Sequence, residues 1–313
     1  MHKSVIIALG GNALSPKEEA GTIYQQFAHT RDSLAAIMHF VTLGYNICLT
    51  HGNGPQVGDE LYRMELTHKT IPPLPLGVCV AETQGSIGYM VQQSLQNELR
   101  GKKIDREVVT LITQTIVDKD DPSIANPQKY IGRRYDKETA ENLANQFNWK
   151  IKEQESGSWR QVVPSPMPQF IEHGRSIKTL VDNGTIVIAS GGGGIPTFWN
   201  KEQKLEGIDA VIDKDLSAAL LGRVIKSSEL WIITDLDQAY LNFGKEDQEP
   251  ILNIDQDTAK QYFDEGHFKA GSMGPKIQAA LYFLKYHGEK AVITSINGID
   301  GAIAGKNGTT IVK

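Results

Sequence analysis

Three glycine-rich turns follow short apolar runs and could bring backbone amides close to an anionic ligand. Glycine lets the chain approach a ligand closely, and the free N–H groups at a helix start can face an anion. Each turn alone has an ordinary explanation, because tight turns and flexible hinges also need glycine. Two glycine-asparagine turns in one chain, with a four-glycine run, favour an anion site. The turns are Gly10-Gly11-Asn12, Gly52-Asn53-Gly54 and Gly191 to Gly194.

Two lysines could supply the positive charge that phosphoryl transfer needs around the transferred group. Lys214 lies between two acids at the start of a helical pattern, where Asp215 could hold its ammonium group. The alternative is a solvated helix start, whose aspartates suit the helix dipole. Lys276 directly follows Pro275, which fits the first turn of a helix. This second lysine would therefore lie beside free backbone N–H groups.

Other phosphate-binding and catalytic patterns are absent from the sequence. It has no G-x-x-x-x-G-K-[ST] loop and no dinucleotide-binding glycine pattern after its first strand. His51 is interpreted as a structural turn residue, because a carboxylate or carbamate oxygen is already ionised and needs no base. The remaining histidines show no metal-ligand spacing and no partnered Cys or Ser, which gives hydrolase triads and zinc sites little support.

Short apolar runs alternate with longer helical patterns along the chain. The runs stop at glycine or a turn, as residues 5–9, 45–50 and 185–190 do. This alternation predicts parallel pairing through right-handed crossovers. The expected fold is α/β, a three-layer sandwich with a mainly parallel central sheet. Ligands bind beyond the carboxyl ends of such strands, where the glycine turns fall.

The segment of residues 118–168 has a different composition, rich in proline and charged residues, with Trp149 and Trp159 among charged neighbours. We interpret it as a small protruding subdomain; the alternative is a long solvated insertion. A chain of 313 residues slightly exceeds the roughly 250 to 300 residues at which one core stops growing. One large domain with a smaller lobe fits this length.

Charge and cysteine usage narrow the partners and the compartment. The formal net charge of -5 argues against a broad basic face for nucleic acid. Cys48 and Cys79 lie in apolar runs and are expected in the core, as in a reducing compartment. The first apolar run is too short for a signal peptide, and none approaches the ~18 residues of a membrane span. We expect a cytoplasmic protein without membrane or nucleic-acid partners.

Seven motifs, taken in order, resemble those of the carbamate kinases, a branch of the amino acid kinase family. The resemblance continues to Gly308-Thr309 and covers essentially the whole chain. Several of the motifs are long, so together they are highly specific. They are ALGGNA at 8–13, HGNGPQVG at 51–58, TQGSIGY at 83–89, VVPSP at 162–166, GGGGIP at 191–196, VIDKD at 211–215 and GHFKAGSMGPK at 266–276.

The resemblance implies an activity and an assembly. The reaction would be reversible phosphoryl transfer between ATP and carbamate, giving ADP and carbamoyl phosphate, with Mg²⁺ accompanying the nucleotide. In cells it usually runs toward ATP and closes the fermentative breakdown of arginine or related nitrogen compounds. The resemblance also implies a homodimer of one amino acid kinase-like domain. The acceptor-binding half would be residues 1–205, including the subdomain, and the nucleotide-binding half residues 206–313.

The resemblance further implies roles for individual residues and no protein-bound metal. Lys214 and Lys276 would stabilise the charge of the transferring group, with Asp215 orienting the lysines. Lys129 would reach down from the subdomain, because Ala8 stands where most amino acid kinases have a lysine. The residues around carbamate and the phosphoryl group would be Gly10, Gly11, Asn12, Gly52, Asn53, Gly54, Gly192 and Gly193. The nucleotide would contact Lys214, Asp235, Tyr240, Met273 and Lys276.

The subdomain departs from the family pattern at four positions. They are Tyr130, Arg133, Arg134 and Gln161. The subdomain should cover the acceptor, so these changes motivate an alternative hypothesis, a related enzyme of the same family acting on a different small carboxylate or carbamate.

Overall fold

An eight-stranded, mainly parallel sheet forms the middle layer of the computed structural model, which describes residues 3–11, 21–268 and 273–313. Strand β1 (Ser4–Leu9) pairs in parallel with a neighbour on each side. Strand β17 (Thr309–Val312) runs antiparallel to β16 (Lys290–Ser295). In spatial order the strands are β15 (Asn253–Asp255), β17 (Thr309–Val312), β16 (Lys290–Ser295), β12 (Glu229–Thr234), β1 (Ser4–Leu9), β2 (Asn46–His51), β9 (Ile186–Ile188) and β3 (Val108–Thr110).

Helices cover both faces of this sheet because its strands are apolar on both sides. On β1, Ile6 and Ala8 enter one core while Val5, Ile7 and Leu9 enter the other. The predicted three-layer sandwich with a mainly parallel sheet is confirmed. The first core is covered by α6 (Gly174–Asp182), α7 (Lys214–Ile225), α8 (Gln256–Asp264) and α9 (Met273–Tyr286), and the second by α1 (Ile23–Thr42), α3 (Leu76–Gly101) and α10 (Ile299–Ile303).

Shorter strands form two further sheets beside the central one. A four-stranded sheet combines parallel and antiparallel pairs, and a separate antiparallel pair follows β12. The four strands are, in spatial order, β11 (Leu205–Gly207), β10 (Ile195–Trp199), β4 (Gln114–Val117) and β8 (Pro168–Ile171), and the pair is β13 (Ala239–Leu241) with β14 (Glu249–Ile251). The four-glycine run lies between β9 and β10, so it connects the central sheet to this second sheet.

A three-stranded antiparallel sheet with its own helix falls within residues 118–168. Strand β5 (Lys129–Tyr135) pairs with β7 (Ser158–Val163), which also pairs with β6 (Lys150–Glu155). Helix α5 (Lys137–Phe147) begins where the Asp136 carboxylate accepts from the Thr139 N–H, and α4 (Pro122–Ala125) precedes β5. We call this unit, residues 129–163, the small sheet. The proposed subdomain limits and the division into two halves stay predictions.

The small sheet contacts the body of the protein through α2 (Gly54–Thr67). The Arg133 guanidinium carbon lies 3.5 Å from the Tyr62 ring centroid, and the Tyr135 hydroxyl donates to Glu65 at 2.6 Å. Ile131 packs into an apolar cluster with Leu61. Because α2 begins at Gly54, the small sheet is attached to the same helix that starts at the second glycine turn.

A buried carboxylate ties together three strands at the amino-terminal end of β12. Glu229 accepts from the Tyr45 hydroxyl at 3.0 Å and the Trp231 indole N–H at 2.9 Å, and it pairs with Lys290 at 3.1 Å. Burial and the Glu229 charge raise the pKa of Tyr45 to about 12, so Tyr45 remains a hydrogen-bond donor. We call these four residues the Glu229 network.

Removing the Phe283 ring should destabilise the protein strongly. The ring lies where α7 and α9 meet: a Cβ atom on Gly222 would come within 2.6 Å of it, and one on Gly288 within 2.3 Å. We expect Phe283→Ala to lower the free energy of unfolding by about 3 to 5 kcal/mol, the range for deleting a buried aromatic ring. Urea unfolding measures this change, and we expect the m-value to stay the same in the variant. The control is Phe243→Ala, because Phe243 is 55% exposed. Equal destabilisation by both variants would contradict this packing.

Candidate active site

The first two glycine turns touch each other backbone to backbone at the carboxyl ends of β1 and β2. The Gly10 N–H donates to Ile233 O and the Gly52 N–H to Leu9 O, both at 2.9 Å. A Cβ atom on Gly52 would lie 2.6 Å from the Gly11 nitrogen. Glycine is therefore needed at position 52 for the two turns to meet. Asn12 of the first turn lies outside the described residues.

The four-glycine run packs against the second of these turns, against β4 and against the segment before Lys214. The glycine run predicts close approach of a ligand. In the structure, protein atoms lie close to each of its four glycines. Gly192, Gly193 and Gly194 also have positive φ angles. A Cβ atom on Gly191, Gly192, Gly193 or Gly194 would come within 2.3 Å of His51 Nε2, 2.2 Å of Asn53 Nδ2, 2.5 Å of Ile212 O or 1.9 Å of Thr115 Oγ1, respectively. Ligand contacts by Gly192 and Gly193 stay predictions.

Buried polar contacts fix the side chains of Asn53 and His51. Asn53 is 5% exposed, and its amide donates to Thr83 Oγ1 at 2.9 Å. His51 is 2% exposed, and its Nδ1 lies 3.0 Å from Gly52 O. Burial, reinforced by the Lys214 charge, lowers the pKa of His51 to about 4 despite that carbonyl. His51 is therefore neutral near pH 7, and its interpretation as a structural turn residue stays a prediction.

Asp215 binds both predicted phosphoryl-binding lysines. One carboxylate oxygen pairs with Lys214 and the other with Lys276, whose Nζ lies 3.1 Å away. The Asp215 side chain is 4% exposed, and those of Lys214 and Lys276 are 14% and 17% exposed. Burial would raise the pKa of Asp215, but the two ammonium groups hold it well below its usual range. The carboxylate is therefore ionised and already engaged on both oxygens.

Two helix starts place these lysines. Lys214 is the first residue of α7, where the Asp213 carboxylate caps the helix by accepting from the Asp215 and Leu216 N–H groups at 2.9 and 3.3 Å. Lys276 lies in the first turn of α9. Helix starts carry partial positive charge and free N–H groups, so both the helix ends and the lysines favour an anion here.

Lys129, the first residue of β5, reaches the same cluster from the small sheet. Its Nζ lies 3.5 Å from Asp213 Oδ2. The structure thus brings together three lysines and two acids, which leaves one net positive charge before any ligand binds. We call Lys129, Asp213, Lys214, Asp215 and Lys276 the lysine cluster.

Among the predicted nucleotide residues, Asp235 lies close enough to Lys276 for its charge to act on that lysine. Asp235 directly follows β12, is exposed, and accepts from the Thr234 hydroxyl at 2.9 Å. Burial lowers the pKa of Lys276, but Asp215 and, more weakly, Asp213 and Asp235 raise it above its ordinary value. Tyr240 is half-buried on β13, and Met273 is buried at the start of α9. Their contacts with a nucleotide stay predictions.

Two supporting residues were not assigned as site residues from the sequence. Asp213 caps α7 and holds Lys129; the signal was its place directly before Lys214 in the VIDKD motif. Gln84 donates to Gly191 O at 3.0 Å and accepts from the Thr113 N–H at 2.7 Å. Gln84 also stands in a quoted motif, but its partners are distant in sequence, so only the fold identifies its role.

Three of the four departures from the family pattern are used in packing of the small sheet. Tyr130 donates to Glu153 O at 2.9 Å, Arg134 forms a two-pronged pair with Glu155, and Arg133 lies over Tyr62. These contacts explain the residues without a changed acceptor. The fourth, Gln161, lies on β7.

Neither a membrane-spanning helix nor a metal-ligand group occurs in residues 3–11, 21–268 and 273–313. Within these ranges, no helix is both long and apolar enough to cross a membrane. The same ranges contain no group of three or more His, Cys, Asp and Glu side chains that could hold a metal ion.

Comparisons with known proteins place this geometry in a family. Residues 3–295 match the amino acid kinase family. Carbamate kinase of Pyrococcus furiosus is 44% identical over 314 aligned residues, with 100% of both chains covered. Carbamate kinase of Trichomonas vaginalis is 42% identical, covering 98% of this chain and 99% of its own. The structure of Giardia lamblia carbamate kinase bound to AMP-PNP has a TM-score of 0.92 at 39% identity, covering 100% of this chain and 99% of that one.

The chain belongs to the amino acid kinase family, and the Pyrococcus furiosus and Trichomonas vaginalis relatives, which match it over nearly its full length, are carbamate kinases.

Acid should destabilise the protein partly through His51. Its folded pKa of about 4 lies below the ordinary 6.5, so the unfolded chain binds the proton more readily. The contribution is fully present above about pH 6.5 and is lost as the pH falls toward 4. The difference corresponds to about 3 kcal/mol.

Urea unfolding between pH 7 and pH 4 tests this assignment. The loss of stability should be smaller in His51→Gln than in the unchanged protein. The control variant His287→Gln, at an exposed position, should keep the full loss. An identical pH dependence in His51→Gln would show that His51 is not the titrating group.

Proposed function

We propose that this protein is a carbamate kinase, transferring a phosphoryl group between ATP and carbamate to give ADP and carbamoyl phosphate. The observation that carries the proposal is the pair of ammonium groups held on Asp215 beside the glycine turns. Phosphoryl transfer depends mostly on positioning and on positive charge around the transferring oxygens. The full-length similarity to carbamate kinases supports carbamate as the acceptor.

The chemistry requires no catalytic base on this chain. Carbamate is an anion whose oxygen can attack phosphorus directly. Asp215 is engaged with two lysines, and the lowered pKa of His51 makes it a weak base, so neither is assigned as a proton acceptor. What the chain supplies is charge: Lys214 and Lys276 would face the oxygens that become more negative as the phosphoryl group moves.

The acceptor would lie over the first two glycine turns, on the open side at Gly54. Gly54 begins α2, and among the described residues no atom outside its own neighbourhood would lie within 4 Å of a Cβ atom built on it. That side of the helix start is therefore open space. We assign the backbone of Gly10, Gly11 and Gly52, with Asn53 and Gly54, to carbamate and the phosphoryl group. Asn12 is assigned with them on sequence alone.

Lys129 would follow the ligand into the site. In the structure its ammonium group is held by Asp213 at 3.5 Å, at a distance and exposure typical of a weak ion pair. A phosphoryl group placed among the lysines would offer Lys129 a stronger, charge-assisted partner. We propose that this exchange seats the small sheet over the acceptor.

Magnesium would arrive as part of the nucleotide substrate. In the described parts of the chain the two acids of the cluster, Asp213 and Asp215, are committed to lysines, and no three-ligand metal group exists. Phosphate oxygens and water would therefore supply most of the ligands, as Mg²⁺ commonly prefers at nucleotide sites. The ion would neutralise charge on the nucleotide phosphates. Asp235, Tyr240 and Met273 are proposed to line the nucleotide site.

A second proposal concerns assembly as a homodimer. Tyr24 on α1 is 84% exposed and Tyr89 on α3 is 57% exposed, and Phe27 joins them through an edge-on contact with Tyr89 at 5.8 Å. Ile23, one helical turn before Phe27, is 49% exposed. Contiguous exposed apolar residues of this kind mark interaction surfaces.

Light scattering on the purified protein should give twice the chain mass, and a Tyr89→Glu variant should shift toward one chain mass. A monomer at micromolar concentration would refute the proposal.

A cytoplasmic location is also proposed, where ATP and ADP are available and thiols stay reduced; cell fractionation would test it. The free, buried thiols of Cys48 and Cys79 agree with such a compartment. The physiological direction is proposed to be ATP formation.

Purified protein given carbamoyl phosphate, ADP and Mg²⁺ should form ATP, followed by a luciferase assay. Replacing Lys276 by Met should reduce kcat/KM by roughly 10²-fold or more, the scale for losing one preorganised charge-stabilising group. The matched control is Lys245→Met, because Lys245 lies on an exposed loop, and it should keep full activity.

Two results would contradict the proposal. Absence of ATP with the unchanged protein would rule out carbamoyl phosphate as donor, and a panel of small carboxylates and carbamates would then identify another acceptor. Equal activity of Lys276→Met and Lys245→Met would remove Lys276 from the mechanism.

A further inference from the structure

A cavity of about 340 Å³ lies between the small sheet and α2, separate from the lysine cluster. Its walls come from α2, the segment before α3, and the ends of α5, β6 and β7, together with Ile124, Pro127, Pro164 and Asp209. This volume is within the range of small-molecule sites. Its lining includes Leu61, Glu65, Phe147, Trp149, Lys150, Gln161 and Asp209.

Two carboxylates and two side-chain amides contribute hydrogen-bond acceptors to the lining. Within the described ranges, the Gln161 Oε1 atom is buried without a hydrogen-bond partner. Leaving such an oxygen unpaired is costly, so a ligand that donates to this amide would be stabilised. Gln161 is also the departure from the family pattern for which the small sheet's own packing gives no explanation.

Two carboxylates lie in the same walls. Glu65 accepts from Tyr135, and burial raises its pKa although Tyr135 and Arg133 oppose the shift. Asp209 accepts from the Leu76 N–H at 2.9 Å through one oxygen. Lys150 is the cation of the lining, and its Nζ lies 3.4 Å from Ala125 O. The acids therefore outnumber the lysine.

An aromatic pair forms the apolar wall. Phe147 and Trp149 stack with ring centroids 5.1 Å apart and an interplanar angle of 21°, and Leu61 lies across the cavity on α2. Aromatic faces attract both flat apolar groups and cations. The wall thus complements the acidic groups of the same lining.

We propose that this cavity binds a compact organic cation, an amine or amidinium carried on a flat apolar body. The cation would donate to Glu65 and to the Gln161 oxygen, while the apolar body would lie against Phe147 and Trp149. The substrates of the proposed reaction are all anions, which these acids repel, so the cavity is a second site. Its occupant would touch both the small sheet and α2.

Isothermal titration of the full chain with benzamidine, without nucleotide or carbamoyl phosphate, tests the proposal. Benzamidine has a flat ring and a cationic amidinium with several N–H donors. For a ligand of this size we expect a Kd on the order of a millimolar. Benzoate, with the opposite charge, and neutral benzamide should each bind at least about tenfold more weakly.

Two variants locate the site. Glu65→Gln keeps an acceptor for Tyr135 but removes the charge, and Gln161→Leu removes the unpaired oxygen at similar size. Each should weaken benzamidine binding about tenfold. The matched controls Glu138→Gln and Gln128→Leu change exposed residues of the same segment and should leave binding unchanged.

Three results would overturn the site. They are no saturable binding up to about 50 mM, binding of benzoate or benzamide as tight as that of benzamidine, and unweakened binding in both cavity variants. Because no substrate is present, these outcomes are independent of the ATP-forming assay.

Discussion

One carboxylate shared between two buried ammonium groups is the interaction on which this structure depends. Lys214 and Lys276 could not be placed side by side and mostly buried without a counter-charge, because burial and mutual repulsion both favour loss of a proton. Asp215 outweighs that penalty for Lys276, whose pKa is raised, and offsets it only in part for Lys214, whose pKa burial keeps below its ordinary value. Breaking such a buried arrangement by removing one member leaves uncompensated charge. The cluster still carries a positive excess, which is what an anionic phosphoryl group needs.

Backbone packing places this charge where the sheet can present a ligand. The turns after β1 and β2 touch through Gly52 and Gly11, and the four-glycine run fits against His51 and Asn53. None of these approaches tolerates a Cβ atom. Since the two helices that carry the lysines pack on one face of the same sheet, the turns and the charges are held in one rigid geometry.

The sequence was sufficient to predict the sandwich, the parallel sheet and the lysines, because apolar runs, glycine turns and an acid flanking a lysine are local signals. It did not show that Asp213 both caps α7 and holds Lys129, a contact between residues 84 positions apart. It did not show how closely the four glycines pack against protein atoms, which come from three other segments of the chain. The antiparallel β17 was also not predicted, since pairing direction at a sheet edge depends on tertiary contacts. Roles that require a bound ligand, such as those of Tyr240 and Met273, stay predictions.

The Glu229 network and the lysine cluster lie toward opposite ends of β12. Six residues of extended strand span roughly 20 Å, and the Glu229–Lys290 pair carries no net charge, so its field at the lysine cluster is weak. The two groups of charges are therefore electrostatically insulated from each other. Substitutions near the lysine cluster can therefore leave the Glu229 network unchanged. The acceptor preference of this fold can diverge while the packing at the other end of β12 stays the same.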